Sequence, residues 1–219
     1  MANTAAVLAK HLLSFSLSEQ SRSVPDLAQG FAAFPRGGIT EILGKTSAGR
    51  TAVAQAASAT ATRGGEVCAW IDGCDSFDPA SALVAGTDLG KLLWVQCSHR
   101  IEVALKATDM ICHNGGFGLI VLDLCGASTR DLQRIPTSFW YRIRRAIENT
   151  PSVLMVLGNE SIAKSCSVRQ FSLESIRLEW RGRAPFQTLT RLETRALSQK
   201  PMSGAASTIE MIASSQAAV

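Results

Sequence analysis

The sequence predicts an α/β fold with a mostly parallel central sheet flanked by helices, and three features predict it. Short apolar runs alternate with stretches whose apolar residues recur at helical spacing, as in strand–helix–strand units. A glycine-bounded loop, Gly44 to Thr51, stands at the first strand-to-helix junction. A later apolar run, Gly118 to Asp123, ends in a carboxylate.

The elements follow in order. Ile39 to Leu43 is β-branched and apolar, a short buried strand. Thr51 to Arg63 is alanine-rich without Pro or Gly, a helix closed by Gly64-Gly65. Val67 to Asp72 is near-continuously apolar, as a central parallel strand requires. Asp78 then caps a helix opened by Pro79. Leu92 to Gln96 is a strand, and Ile101, Ala104, Leu105, Thr108 and Ile111 mark a helical stripe. After the strand ending at Asp123, a helix carries Phe139, Trp140, Ile143 and Ile147, and Ser152 to Leu157 is the next strand. Phe171 to Trp180 and Phe186 to Leu197 alternate like antiparallel or edge strands.

Three segments are expected: a helical extension and linker over 1–33, a core over 34–197, and a flexible tail over 198–219. Val7, Leu8, His11, Leu12 and Phe15 predict a helix in the first, and Pro25 stops it. The tail is Ser/Ala-rich, with one weak apolar patch at Ile209, Met211 and Ile212, and is read as a mobile segment able to order on a partner.

Composition narrows the function classes. The chain has 219 residues, 46% of them hydrophobic, enough to bury one sizeable core. No apolar run has the length of a membrane span, and Met1 to Leu13 lacks the basic start of a secretion signal. The six cysteines form no C-x-x-C pair and sit among apolar residues, which predicts reduced thiols in a cytoplasmic protein. A net charge of +4 permits an acidic partner without demanding nucleic acid.

Gly44-Lys45-Thr46-Ser47-Ala48-Gly49-Arg50-Thr51 spells G-x-x-x-x-G-Arg-Thr, a phosphate-cradling loop in every position except its lysine. The glycines let successive N–H groups curl inward at a helix N-terminus, Thr51 stands where a hydroxyl holds Mg²⁺, and Arg50 stands where an ammonium reaches the outer phosphates. An arginine fork is larger than an ammonium, so the exchange matters at a tight site. The bare pattern also occurs as a ligand-free turn. Asp123, at the carboxyl end of its strand, falls beside this loop and can orient water on Mg²⁺; the alternative is an ordinary loop aspartate.

Pro35 to Gly44, Cys68 to Asp72, Phe77-Asp78-Pro79 and Ser175 to Glu179 strongly resemble, in order and spacing, the bacterial RecA core. The resemblance covers roughly Phe34 to Leu197 and implies a RecA-like P-loop domain that binds ATP with Mg²⁺. Within that superfamily the chain is most similar to ImuA, the short RecA-like proteins of damage-induced mutagenesis cassettes, and to SulA, the related division inhibitors.

Carried over position by position, the resemblance implies a nucleotide site of Gly44, Gly49, Arg50, Thr51, Asp78, Asp123 and Asn159, with Mg²⁺ on Thr51 and Asp123. Asp78 matches the residue at the adenine edge, but Ser81 replaces the ring that stacks on the base. Cys74 stands where the water-activating glutamate is expected, with Asp75 one residue away. Asn159 keeps an amide of the sensor pair, and Glu160 replaces its glutamine. These departures imply weak ATP binding and little or no hydrolysis. The second DNA loop is short, Glu160 to about Arg169. Arg130, Arg134, Arg142, Arg144 and Arg145 offer a basic face for weak, non-specific DNA binding, or simply a solvated helix surface.

The function so implied is an ImuA-like accessory factor of the DNA-damage (SOS) response. It supports error-prone translesion synthesis through contacts with an ImuB-like polymerase-type protein or RecA. The alternatives are a DNA-dependent ATPase or recombinase of RecA type, and a SulA-like inhibitor of cell division.

Overall fold

The computed structural model describes residues 14–15, 34–181, 188–200 and 208–214. The strands are β1 (Ser14–Phe15), β2 (Gly38–Gly44), β3 (Cys68–Asp72), β4 (Leu92–Gln96), β5 (Leu119–Asp123), β6 (Val153–Gly158), β7 (Ser167–Arg181), β8 (Thr188–Lys200) and β9 (Thr208–Ser214). The helices are α1 (Arg50–Arg63), α2 (Pro79–Val84), α3 (Ile101–Asn114), α4 (Thr129–Gln133) and α5 (Thr137–Ile147).

All the described strands join one sheet in the order β1-β9-β8-β7-β2-β6-β5-β3-β4. From β7 to β4 every pairing is parallel, and β8, β9 and β1 continue it antiparallel. The mostly parallel α/β architecture read from the sequence is the one observed.

Both faces of β2, β3, β5 and β6 are covered, which is why their sequences are largely continuous apolar runs, whereas the edge strand β4 is partly exposed. Alternate residues divide between two cores. Trp70, Leu119, Val121, Val153 and Met155 pack beneath α1, against Val53, Ala54 and Ala57. Ile71, Ile120, Leu122, Leu154 and Val156 face α3 and α5, against Ala104, Trp140 and Ile143. The alanines of α1 let it lie close to the sheet. Cys68 and Cys112 are buried thiols, and burial pushes both up to about 12, so they are inert packing groups.

The parallel strands end level with one another. Ile42, Leu157, Asp123, Asp72 and Gln96 occupy one row across β2, β6, β5, β3 and β4. The loops beyond this row meet at the carboxyl edge of the sheet, the usual ligand edge of such folds.

Two expectations change. The segment from Ser198 is not a tail throughout: β8 runs on to Lys200, and Thr208–Ser214 pairs with it as β9. The polar composition of this stretch hid the reason, which is that the open edge of β8 offers N–H and C=O groups that a neighbouring strand satisfies. The helix expected from Val7 to Phe15 lies outside the described residues except at its end, where Ser14–Phe15 pair with β9 as a strand.

Candidate functional site

The turn between β2 and α1 is held in shape from both sides. A Cβ on Gly44 would stand 2.8 Å from the Leu173 carbonyl oxygen and 2.9 Å from the Ala48 Cβ, so the close approach requires glycine. The Ala48 N–H donates to the Lys45 carbonyl at 3.1 Å, and Ser47 takes φ +64°. The Thr194 hydroxyl of β8 donates to the Ala48 carbonyl at 3.1 Å, and both residues are buried. Gly49 is the N-cap of α1 at φ +93°, with no side-chain cap and no acidic residue in the first turn. The first N–H groups of the helix therefore lack a side-chain acceptor, and the helix dipole favours an anion there.

Arg50 opens α1 and is only 6% exposed. Its Nη1 donates to Asn159 Oδ1, just past the end of β6. Asn159 belongs to a loop anchored from beneath by Glu41 of β2. The fully buried Glu41 carboxylate accepts the Ile162 and Ala163 N–H groups at 2.8 Å each and the Ser161 hydroxyl at 2.9 Å. The turn of residues 161–163 is thereby fixed to the central strand.

A second buried carboxylate organises the loop after β3. Asp72 accepts the Ser76 N–H at 2.9 Å, the Phe77 N–H at 3.0 Å and the Trp94 indole N–H at 3.3 Å. Neighbouring Asp123, also fully buried, accepts the Ser76 hydroxyl at 3.2 Å and the Cys125 N–H at 3.0 Å. Cys74 lies between these loops, its Sγ accepting the Gly126 N–H at 3.2 Å. Burial pushes the Cys74 thiol up; the Gly126 N–H opposes this, and the charges of Asp123, Asp72 and Asp75 add to it. At neutral pH the group is a thiol. Asp75 (φ +50°) turns the other way: it accepts the Ser98 N–H at 3.1 Å, and His99 Nε2 stands 3.8 Å from its second oxygen.

Asp78 is the N-cap of α2, as its sequence context predicts. Its carboxylate accepts the Ala80 and Ser81 N–H groups at 3.1 Å each, and the Ser81 hydroxyl. The Ser81 hydroxyl first, then those backbone donors, hold its carboxyl below the ordinary carboxylate range despite an opposing contribution from burial. A depressed folded value means that this stabilisation is complete above the ordinary range and is lost as pH falls through the depressed value. Asp78→Ala is expected to cost about 0.5–2 kcal/mol in urea unfolding, and Asp78→Asn, an equally good cap, almost nothing. An unchanged midpoint for Asp78→Ala contradicts the capping role.

The carboxyl edge thus collects Gly44, Gly49, Arg50, Thr51, Cys74, Asp123 and Asn159. It does not collect the arginines of α5. Arg142 Nε donates to Asp109 of α3 at 2.9 Å, and its guanidinium lies 5.7 Å from the Phe139 ring centroid. Arg144 and Arg145 are exposed in the last turn of α5, whose end packs near Gly37 at the amino end of β2, opposite the glycine loop. Arg130 lies in α4 and Arg134 directly follows it, so only these two are near the loop after β5; Arg134 stands 3.9 Å from Asp131. The basic face offered by Arg130, Arg134, Arg142, Arg144 and Arg145 is therefore divided, because the arginines lie on different elements.

The phosphate half of a nucleotide fits this edge: a glycine that must be glycine, an uncapped helix N-terminus and a buried guanidinium. The base half is less prepared, since Asp78 is engaged in capping and Ser81 offers no ring. Sequence reasoning missed Glu41, Thr194 and the bracing role of Asp72. A charge inside an apolar strand run was the available signal for Glu41 and Asp72; Thr194 had none.

Among known proteins, the chain is similar to Protein RecA of Corynebacterium aurimucosum, at 40% identity over 104 residues covering 48% of this chain and 27% of the relative. It is similar to Protein RecA of Acinetobacter baylyi at 38% over 104 residues, 48% of this chain and 30% of the relative. Protein RecA of Nocardioides sp. is 41% identical over 102 residues, 47% of this chain and 29% of the relative. These matches span less than a third of each relative's length. The family described as the RecA N-terminal domain matches residues 11–133, more than half of the sequence, and the chain belongs to that family.

Proposed function

We propose that this chain is a RecA-like accessory protein of the DNA-damage (SOS) response, an ImuA-like factor in DNA repair by error-prone translesion synthesis. It acts through contacts with an ImuB-like polymerase-type protein or RecA, binds ATP with Mg²⁺ weakly, and hydrolyses it slowly or not at all. Gly44, Gly49, Arg50 and Thr51 would hold the phosphates, with Thr51 and Asp123 on Mg²⁺. The magnesium would draw charge off the phosphates; the chain itself binds and orients them.

One observation carries this reading. Cys74, where a water-activating glutamate is expected, is a buried thiol that accepts the Gly126 N–H and is held protonated by burial. It cannot take a proton from water at neutral pH. Asp75 faces Ser98 and His99. Contacts to DNA from Arg144 and Arg145 would be phosphate contacts only, hence weak, sequence-independent and steeply salt-dependent.

The test is ATP turnover by the full chain with and without single-stranded DNA. No turnover above background is expected, and Cys74→Glu should raise any residual rate. DNA-stimulated turnover that Asp123→Ala abolishes would replace this reading with that of a DNA-dependent ATPase of RecA type.

A further inference from the structure

The sheet has an unguarded edge. β4 is its last strand in the described residues, and Leu92–Gln96 carries no charged residue, proline or bulge, the usual devices that keep an edge from pairing. Exposed apolar side chains gather there. Leu93 and Trp94 lie on β4 itself, Leu89 in the short turn before it, and Leu83 on α2. Met110, 65% exposed, joins them from α3. Leu105 and Asp109 turn towards α5, which leaves Val103, Ala107 and Met110 on the opposite flank of α3, the side of β4.

The backbone of β4 fixes what can pair with it. The Cys97 N–H donates to the Asp72 carbonyl of β3 at 3.1 Å. These groups alternate in direction along a strand, so Leu93, Val95 and Cys97 bond to β3, while Leu92, Trp94 and Gln96 point away from it. The Leu92 N–H is taken by the Leu89 carbonyl. The Trp94 and Gln96 N–H groups and the Leu92 carbonyl then face outward, beyond the last described strand.

This row matches itself under a two-fold axis through Trp94. Run antiparallel, each Trp94 exchanges both its bonds with its copy, and each Gln96 N–H meets the Leu92 carbonyl of the other copy, so both outward donors find acceptors. The same axis sets α3 beside its copy, with Met110 between them, on one face of the sheet. On the other face it brings Leu83 of α2 towards its copy. It also carries the end of β4 near exposed Asp88 to the other copy's end near exposed Arg100, which are opposite charges.

We propose that this edge is an isologous interface, at which two copies of the chain pair β4 to β4, antiparallel about Trp94, into one continuous sheet. The self-match of backbone, flanking side chains and end charges selects a second copy as the occupant. Pairing uses the edge of both copies, so assembly through it stops at the dimer. The two glycine loops then lie at opposite ends of the joint sheet.

Sedimentation velocity of the full chain across the micromolar range tests it. A reversible monomer–dimer equilibrium is expected, with no larger species. Leu93→Lys puts an unpaired charge into the apolar contact and should raise the dissociation constant about tenfold or more. Gln96→Pro removes only an outward donor and should do the same while thermal unfolding stays cooperative; if that variant does not fold, Leu93→Lys decides alone. Tyr141→Lys, exposed on α5 away from this edge, should leave the dimer unchanged. Leu93→Cys and Val95→Cys chains, opposite each other in this register, should link when mixed and oxidised with diamide, and neither should link alone. A chain that stays monomeric, a mass that keeps growing with concentration as in head-to-tail assembly, or a dimer that Leu93→Lys does not weaken overturns the inference.

Discussion

Glu41→Ala is expected to destabilise the protein by about 3–5 kcal/mol. The substitution strips the acceptor from two buried N–H groups, Ile162 and Ala163, and from the Ser161 hydroxyl. Each orphaned backbone donor costs about 1–3 kcal/mol, more where the lost acceptor was charged, so the two N–H groups together account for about 3–5 kcal/mol, the Ser161 hydroxyl being able to turn to water. For a chain of this size the midpoint should fall on the order of 10 °C. Hydrogen exchange should locate the damage, with the amides of Ile162 and Ala163 losing protection before those of β5. A loss below about 1 kcal/mol would mean that water replaces the carboxylate, and that Glu41 is not what holds the turn beside Asn159.

Asp72→Ala should have the second largest effect, about 2–4 kcal/mol. It leaves the Ser76 and Phe77 N–H groups and the Trp94 indole without their acceptor. Asp72→Asn should recover only part of the loss, because an amide has one acceptor oxygen and its NH2 would face an N–H donor. Urea unfolding of both variants is the measurement. Equal stability of the alanine and asparagine variants would show that the hydrogen bonds contribute little and that packing of Phe77 against Trp70, with ring centroids 4.7 Å apart, orders the loop.

The two effects share a logic. Each carboxylate sits on a central strand at or near the carboxyl edge and turns a loop that would otherwise expose unsatisfied backbone. One loop bears Asn159 and so the partner of Arg50; the other bears Cys74. The site is positioned by buried anions rather than by bulk packing, which is where small substitutions have large consequences.

Local sequence alone determined the strands and helices of the core, since each signal acts within a few residues. Apolar runs such as Cys68–Asp72 and Leu119–Asp123, short and bounded by turn residues, read as strands buried on both faces, and Asp78-Pro79 reads as a helix start. The glycine loop was equally legible, because G-x-x-x-x-G-Arg-Thr specifies its own backbone. Tertiary structure alone decided what lies many residues apart along the chain: that Arg50 reaches Asn159, that Thr194 braces the loop at Ala48, and that Glu41 holds residues 161–163. It also decided that Arg142 is engaged by Asp109 and that Thr208–Ser214 becomes a strand. The physical reason is the same in each case. A hydrogen bond between distant residues is invisible to periodicity, and a strand beside an open sheet edge takes its stability from the neighbour rather than from its own composition.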